Sequence, residues 1–443
     1  MTVTGTVAGT AFVAVDSASG SVVARQVAVV QTNGSKVFTI KVQSGKKYKF
    51  YLVENEGTSD ERVFPLYIGS GNKVSVASGT CDLGFVTTTG DGIATPATTP
   101  AQFTGAVEDT AIPDGVATNR SYLYTQADLT GTWYGFQLYG GSNPYYARGT
   151  MPIDANGAGA AINVYYSDGH LSTNTITAAL VMTPSGVVKD TLSSGGDRFV
   201  MSRDKSLMVG VGNAGLYGAA NIFILVKAGG TFQQSDLAGK WKMHGLLASS
   251  TFREWQRGDV SIDANGVMTI SNSQRASGGS SLDGTKSFGL SVNSSGIVTA
   301  TAQGGSVYGA LTADKNVAVF VVSNADGTIA LHLLVRTGGT FSSSDLVGSH
   351  RSNSLTINAT QDYWQRSLTV VNSNGIASKY ATVENGVSKP DSVSTVSGSM
   401  STTGIYTGKN KAEGIMSLNK KLFVETFSDG TSLDYYGLGI ALR

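Results

Sequence analysis

Phe232-Gln-Gln-Ser-Asp-Leu-Ala-Gly239, continued by Lys240-Trp241, is the stretch from which the architecture can be read. It has two relatives within the same chain, Tyr124-Thr-Gln-Ala-Asp-Leu-Thr-Gly131 and Phe341-Ser-Ser-Ser-Asp-Leu-Val-Gly348. The aspartates at 128, 236 and 345 stand 108 and 109 residues apart. A period that long is a small domain rather than a solenoid unit, whose repeats run about 20–50 residues. Three copies can be laid over one another, so each position is read three times.

Turn chemistry falls at matching places. Asp154-Ala-Asn-Gly157, Asp263-Ala-Asn-Gly266 and Asn372-Ser-Asn-Gly375 all end in Asn-Gly, the pair that tolerates positive φ in a tight hairpin. Other turns recur as Pro184-Ser-Gly186, Ser294-Ser-Gly296 and Thr402-Thr-Gly404, and as Arg203-Asp-Lys205, Ala313-Asp-Lys315 and Leu418-Asn-Lys420. Between such turns the second copy offers strand-length runs at 240–248, 254–263, 267–272, 286–293, 297–303, 306–312, 317–324 and 328–336. No stretch shows a helical period. Each copy is expected to be an eight-stranded antiparallel meander, closing as one small barrel or dividing into two propeller blades, six in all. The two halves of a copy do not resemble each other, which favours closure.

Gly131-Thr-Trp133 and Gly239-Lys-Trp241 open the first strand, and Ile224-Leu-Val-Lys227, Leu333-Leu-Val-Arg336 and Ile440-Ala-Leu-Arg443 end the last. A Gly-x-Trp on strand one with a cation at the end of the last strand resembles the calycin superfamily of lipocalins and avidins, over positions 124–443. The resemblance implies barrels in which Lys227 packs over Trp133 and Arg336 over Trp241 where the strands close, a cation–π contact of about 0.5–2 kcal/mol. Gly348-Ser-His350 puts His350 in the tryptophan position opposite Arg443, so closure of the third copy is expected to differ. On this reading Trp241→Ala removes about 3–5 kcal/mol as a core truncation, and Trp255→Ala clearly less.

Residues 1–88 show short alternating runs such as Lys47-Tyr-Lys-Phe-Tyr-Leu-Val53. The phrases Asn33-Gly34, Phe38-Thr-Ile40, Gly45-Lys-Lys-Tyr48 and Asp82-Leu-Gly-Phe-Val86 resemble the prealbumin-like β-sandwich of carboxypeptidase-regulatory and collagen-adhesin B-type modules. That resemblance implies a stalk or spacer. Thr, Gly and the prolines Pro96, Pro100 and Pro113 mark 89–120 as a semi-extended linker. The expected organisation is all-β: a sandwich at 1–88, a linker at 89–120, and barrels at 121–229, 230–338 and 339–443.

Charged residues are 14% of the 443 and the formal net charge is +1, so no global field favours nucleic acid or an anionic membrane. The lone cysteine, Cys81, excludes an internal disulfide and a cysteine metal site, and reads as a strand residue packed as a small hydrophobe. No apolar run is long enough for a membrane helix. Met1-Thr-Val-Thr-Gly-Thr-Val7 has no signal-peptide pattern. Low charge with Ser, Thr and Gly richness reads as an exported bacterial surface protein whose leader or lipid anchor lies outside this sequence.

An aromatic and an arginine two apart share one strand face at Tyr146-Ala-Arg148, Trp255-Gln-Arg257 and Trp364-Gln-Arg366. Presence in all three copies favours scaffold, with the arginine along the ring and paired to Asp128, Asp236 or Asp345; the other reading is a stacking and hydrogen-bonding surface for a sugar or aromatic ligand. The first copy is rich in tyrosine, and Tyr134, Tyr139, Tyr145 and Tyr146 with Arg148 form the best candidate surface for a glycan or protein partner. Strand tyrosines placed by β-propensity alone are the plain alternative. His170, His244, His332 and His350 do not align between copies and lack metal-ligand spacing. No paired carboxylates, nucleophile elbow, phosphate loop or dinucleotide fingerprint is present, so no enzyme activity and no cofactor are expected. The expected function is non-enzymatic binding or scaffolding at the cell surface. Its alternatives are small-ligand carriage inside the barrels and a repetitive surface polymer. An eight-stranded barrel is just wide enough to be filled by its own side chains or to hold one small ligand, and filling is expected at this length per copy.

Overall fold

The computed structural model describes the chain except for residues 8, 32–34, 57–60, 89–92, 108, 110–112, 114, 118–123, 173–174, 193–197, 215–218, 277–287, 303–304, 359–361, 372–375, 391, 396–397, 410, 430–434 and 443. The Asn33-Gly34 and 372–375 turns and the Arg443 closure lie outside the described residues.

The amino-terminal part is two facing sheets. One holds Thr2–Val7, Val29–Val30, Lys36–Lys41, Thr80–Thr88 and Ala94–Pro96; the other holds Ala11–Asp16, Val22–Val27, Lys47–Glu54, Arg62–Pro65, Lys73–Val76 and Phe103–Val107. Phe12 of the second sheet stacks on Phe38 of the first at 3.9 Å, and Cys81 is buried in the same core. The expected linker is corrected here. Ala94–Pro96 pairs with Thr80–Thr88, Phe103–Val107 pairs with Lys73–Val76, and Val116 with Ala117 covers the outer face of the second sheet. Ala94, Phe103 and Val116 are buried, and burying them holds Ala94–Pro96, Phe103–Val107 and Val116 with Ala117 onto the sandwich instead of leaving them as a tether.

Each copy then opens on a single 3-10 turn, Gln126–Leu129, Gln234–Asp236 or Ser343–Leu346, in which the aspartate closes a capping box. The first copy is a closed eight-stranded barrel from Gly131–Tyr139 to Ala219–Lys227. The other two keep the strand order, but their fourth strand is split, so their ladders run as nine- and ten-stranded sheets and not as closed circuits. In the second copy the split falls at Leu290, between Phe288–Gly289, which pairs with the third strand, and Ser291–Val292, which pairs with the fifth. Gln234 anchors the chain at this point, its amide bonding the Leu290 carbonyl and the Val292 N–H as Gln126 bonds Leu180 and Met182 in the unsplit first barrel. In the third copy Ser392–Thr395 pairs with the third strand and Ser399–Met400 with the fifth. Every copy is one curled sheet, so the six-blade alternative is corrected too.

The barrels form a ring. The first two strands of each copy pack on the last two of the next: copy one on copy two, copy two on copy three, and copy three back on copy one. One apolar cluster runs through all three, with Phe136, Ile224, Leu246, Leu333, Leu355 and Ile440 among its members. Both ends of the ring axis are pinned. At one end Asn419 donates to Asp204 (3.2 Å) and Asp314 (3.3 Å), joining the three x-Asp/Asn-Lys turns. At the other, Arg253 donates to the carbonyls of Gly141 (2.6 Å) and Ser142 (3.3 Å), and Asp362 accepts from the Gly141 N–H.

The sandwich is seated on this ring rather than held away from it as a stalk. Arg62 donates to the Ser185 carbonyl (3.2 Å), and the Arg351 guanidinium lies 5.0 Å over the Phe64 ring with 1% of the residue exposed. Ser185 belongs to a turn beside Tyr124, at the 3-10 end of the first barrel. The opposite barrel ends therefore point away from the sandwich.

Candidate functional site

The 3-10 ends of the barrels are closed by their own residues. Trp133 faces Lys227 in register at 5.2 Å, and Trp241 faces Arg336 at 4.2 Å. Each indole N–H donates to the leucine carbonyl of the lead-in turn, Leu129 (2.8 Å) or Leu237 (2.9 Å). Lys227 caps the Asp128 carbonyl at 2.7 Å, and burial pushes its ammonium pKa down. Arg336 donates to the carbonyls of Asp236, Ala238 and Lys315. In the third copy the His350 ring nitrogen reaches Leu346 at 2.8 Å, a smaller plug in the same corner.

The repeated aromatic-x-Arg pair belongs to the ring and does not form an exposed stacking surface. Trp255 donates to Ser428 of the third barrel (2.9 Å), Trp364 donates to Asn213 of the first (2.9 Å), and both are nearly fully buried. The arginines lie on aromatic rings: Arg257 on Trp255, Arg366 on Trp364, and Arg148 on Tyr165 and on Tyr308 of the second barrel. Their expected pairing with the loop aspartates is corrected. Asp128, Asp236 and Asp345 pair instead with Lys205, Lys315 and Lys420 of the recurring turns, at 2.8–2.9 Å.

The tyrosine set is divided by the fold. Tyr134, Tyr146 and Arg148 point outward into the contact with the second barrel. Tyr139 and Tyr145 point inward and stack at 4.2 Å at the open end of the first barrel, with Tyr166 beside them. Tyr139 also donates to Gln137 (2.6 Å), which donates to Asn221 (2.9 Å). Below this ladder Trp133, Met151, Met182, Phe199, Met208 and Leu225 fill the interior.

The other two interiors each hold a cavity, of about 410 Å³ in the second and about 510 Å³ in the third. Register explains the difference. Along the last strand the first barrel places Asn221, Phe223 and Leu225 inward, the second Ala330, His332 and Leu334, and the third only Gly437, Gly439 and Ala441. Along the first strand, Gln137 and Tyr139 give way to Gly245 and Leu247, then to Ser354 and Thr356. At the plugged end Gln126 bonds Leu180 and Met182, and Gln234 bonds Leu290 and Val292, whereas Ser343 stands at this position in the third copy.

The second chamber is apolar around Met243, Met268, Phe320 and Leu334, with Gln256, Arg275 and His332 on one side. Arg275 is ion-paired to Glu254 at 2.8 Å. Burial and the Arg275 charge push the His332 imidazole down to about 4. The third chamber is lined by Ser352, Ser354, Thr356, Ser367 and Thr369 with four charged groups, Lys379, Glu384, Lys409 and Glu425. Lys379 donates to Gln365 at 2.6 Å. Burial raises the Glu425 carboxyl pKa, partly offset by Lys379.

Sequence reasoning missed this chamber. Its signal was available in the repeat: Glu425 stands where Gly210 and Phe320 stand in the other copies, beside a last strand emptied of side-chain volume. Among the described residues no group of three or more His, Cys, Asp or Glu could hold a metal ion, and no helix is long and apolar enough to cross a membrane.

No family model and no curated protein sequence matches the chain. Solved structures that resemble it include transferrin binding protein B from serogroup B Neisseria meningitidis, at 10% identity and TM-score 0.25, covering 71% of this chain and 77% of that one. Another is a DUF3598-family protein of unknown function from Nostoc punctiforme, at 12% identity and TM-score 0.20, covering 48% of this chain and 99% of that one. At TM-scores this low the likenesses identify neither a fold nor a function for this chain.

Proposed function

We propose that this is a non-enzymatic, extracellular or cell-surface binding protein that takes small ligands inside its second and third barrels. The first barrel and the sandwich act as supporting masonry. The observation that carries this reading is positional: three copies of one scaffold differ inside, the first with Phe223, Gln137 and Tyr139 where the second and third hold cavities of about 410 and 510 Å³. Ligand cavities run about 300–1,000 Å³, so both chambers are of useful size. Filling was the sequence expectation for every copy, and it describes only the first.

Thermal-shift screening of a chemically broad library, followed by native mass spectrometry, tests the proposal. Hits should be lost one chamber at a time in Leu334→Trp and Ser354→Trp, which fill the second and third interiors. Hits indifferent to both substitutions would sink it.

A second reading, a glycan or protein partner held at the open end of the first barrel, is favoured by the stacked Tyr139 and Tyr145 with Tyr166 and His170 at its rim. Glycan-array binding lost in Tyr166→Ala would support it. A monomeric mass at micromolar concentration would exclude the polymer-subunit alternative.

A further inference from the structure

We infer that the third chamber binds a small polyhydroxylated molecule, a mono- or disaccharide or a cyclic polyol, with Glu425 and the inward serine and threonine hydroxyls as its hydrogen-bonding partners. This rests on the ligand-binding role proposed above for the chambers, and adds the chemistry that one of them selects.

The lining decides the class. Ser352, Ser354, Thr356, Ser367 and Thr369 each supply a group that both donates and accepts, which is also what a ligand hydroxyl does. Thr356 is 1% exposed, lines the chamber, and its hydroxyl has no hydrogen-bond partner among the described residues.

Glu425 points to the same conclusion. It lines the chamber and sits against Gly439, where a Cβ would meet its Oε1 at 3.1 Å. Glycine at 439 is therefore what lets a carboxyl stand at this depth. Burial raises its pKa, so the carboxyl is held where it accepts from ligand hydroxyls when ionised and also donates when protonated.

Charge and shape agree with this. Lys379 and Lys409 offset Glu384 and Glu425 in the lining, so the interior favours a ligand without net charge. Tyr363, Tyr406, Phe423 and Phe427 add aromatic area to the lining, which suits the C–H side of a sugar. An apolar ligand would leave the hydroxyl row desolvated and unmatched.

The test uses the full chain and a defined panel: glucose, galactose, N-acetylglucosamine, maltose, lactose and myo-inositol, against cadaverine as a cation and 1-octanol as an apolar probe. Saturation-transfer NMR at millimolar ligand finds binders, and calorimetry gives Kd. The expected result is saturable binding of at least one polyol, abolished by Ser354→Trp. Glu425→Gln, which keeps an accepting oxygen, should weaken it by about tenfold or less, and Glu425→Leu by more than tenfold. If Ser354→Trp does not fold, Ser352→Leu narrows the same chamber and should lower affinity in the same direction.

Cadaverine binding that is lost in both Ser354→Trp and Glu425→Gln would overturn the polyol assignment while leaving ligand carriage standing. So would octanol binding alone. Polyol binding indifferent to every one of these substitutions would place the sugar elsewhere and also overturn it. If no panel member binds in any form, and the broad library gives no chamber-dependent hit, both the assignment and the carriage reading fall.

Discussion

Truncating Trp255 to alanine should be at least as damaging as truncating Trp241, the reverse of the ranking that the sequence alone suggests. The two indoles are equally hidden, at 2% and 1% exposure, but they hold different things together. Trp241 closes its own barrel. Trp255 stands on the outer face and crosses to the third barrel, donating to Ser428 at 2.9 Å while Arg257 lies 4.4 Å over its ring. Emptying a buried tryptophan site costs about 3–5 kcal/mol. Loss of the cross-barrel hydrogen bond adds about 0.5–1.5 kcal/mol, and the overlap between the two brings Trp255→Ala to about 3–6 kcal/mol. Urea unfolding followed by near-UV circular dichroism gives each variant's stability by linear extrapolation. The decisive measurement is a double-mutant cycle. Trp255→Ala with Ser428→Ala should show a coupling of about 1 kcal/mol, whereas Trp241→Ala with Ser428→Ala should add to within about 0.5 kcal/mol. A cost below about 1.5 kcal/mol for Trp255→Ala, with no coupling to Ser428, would refute the packing of barrel on barrel through this residue.

Three further outcomes are expected. Asn419→Asp turns the amide that bridges Asp204 and Asp314 into a third carboxylate at the ring axis, and should lower stability by about 1–2 kcal/mol at low salt, with part recovered at high salt, read by urea midpoints at two ionic strengths. Acidification should weaken the fold from about pH 6.5 downward, because His244 and His332 are both held below the ordinary histidine value and the unfolded chain takes up their protons first. His244 faces Lys242, Arg257 and, through them, Glu413 at the contact of barrels two and three, while His332 faces Arg275, so protonation of either meets cations. Each histidine contributes up to about 1.4 kcal/mol per pH unit over this window, and His244→Gln should flatten the curve of stability against pH even though Glu425 and Asp362, with raised values, act in the opposite direction. Gln234→Ala should cost about 1–3 kcal/mol and speed hydrogen exchange at the Val292 amide, whereas Ser343→Ala at the matching place should stay within about 0.5 kcal/mol.

The elements inside each copy were legible because turn residues are local: Asn-Gly and the x-Asp-Lys phrases mark chain reversals whatever surrounds them. Strand ends such as Ile329–Arg336 fall close to the reading of the second copy. The ring was not legible by that route, although a signal for it existed. Val317-Ala-Val-Phe-Val-Val322 is apolar without alternation, which is how a strand covered on both faces reads. What covers the second face is a tertiary fact, set by partners about a hundred residues away. The stretch 94–117 was misread for a related reason. Its threonines and prolines have turn and linker propensity, but three apolar side chains among them find a buried place on the sandwich, and burial overrides local preference. The chambers were half legible: the copies show Leu225, Leu334 and Ala441 at one position, yet only register proves that all three point inward.

The tether between copies carries a consequence of its own. In an assembly of three separate identical chains, any substitution arises in every subunit at once, so emptying one interior empties all three and weakens every plug together. Joining the copies end to end removes that obligation. One copy can stay solid and keep the assembly rigid while its neighbours surrender volume to hold cargo, and each can be tuned for a different guest. The uneven interiors at Phe223, His332 and Gly439 are what such independence permits.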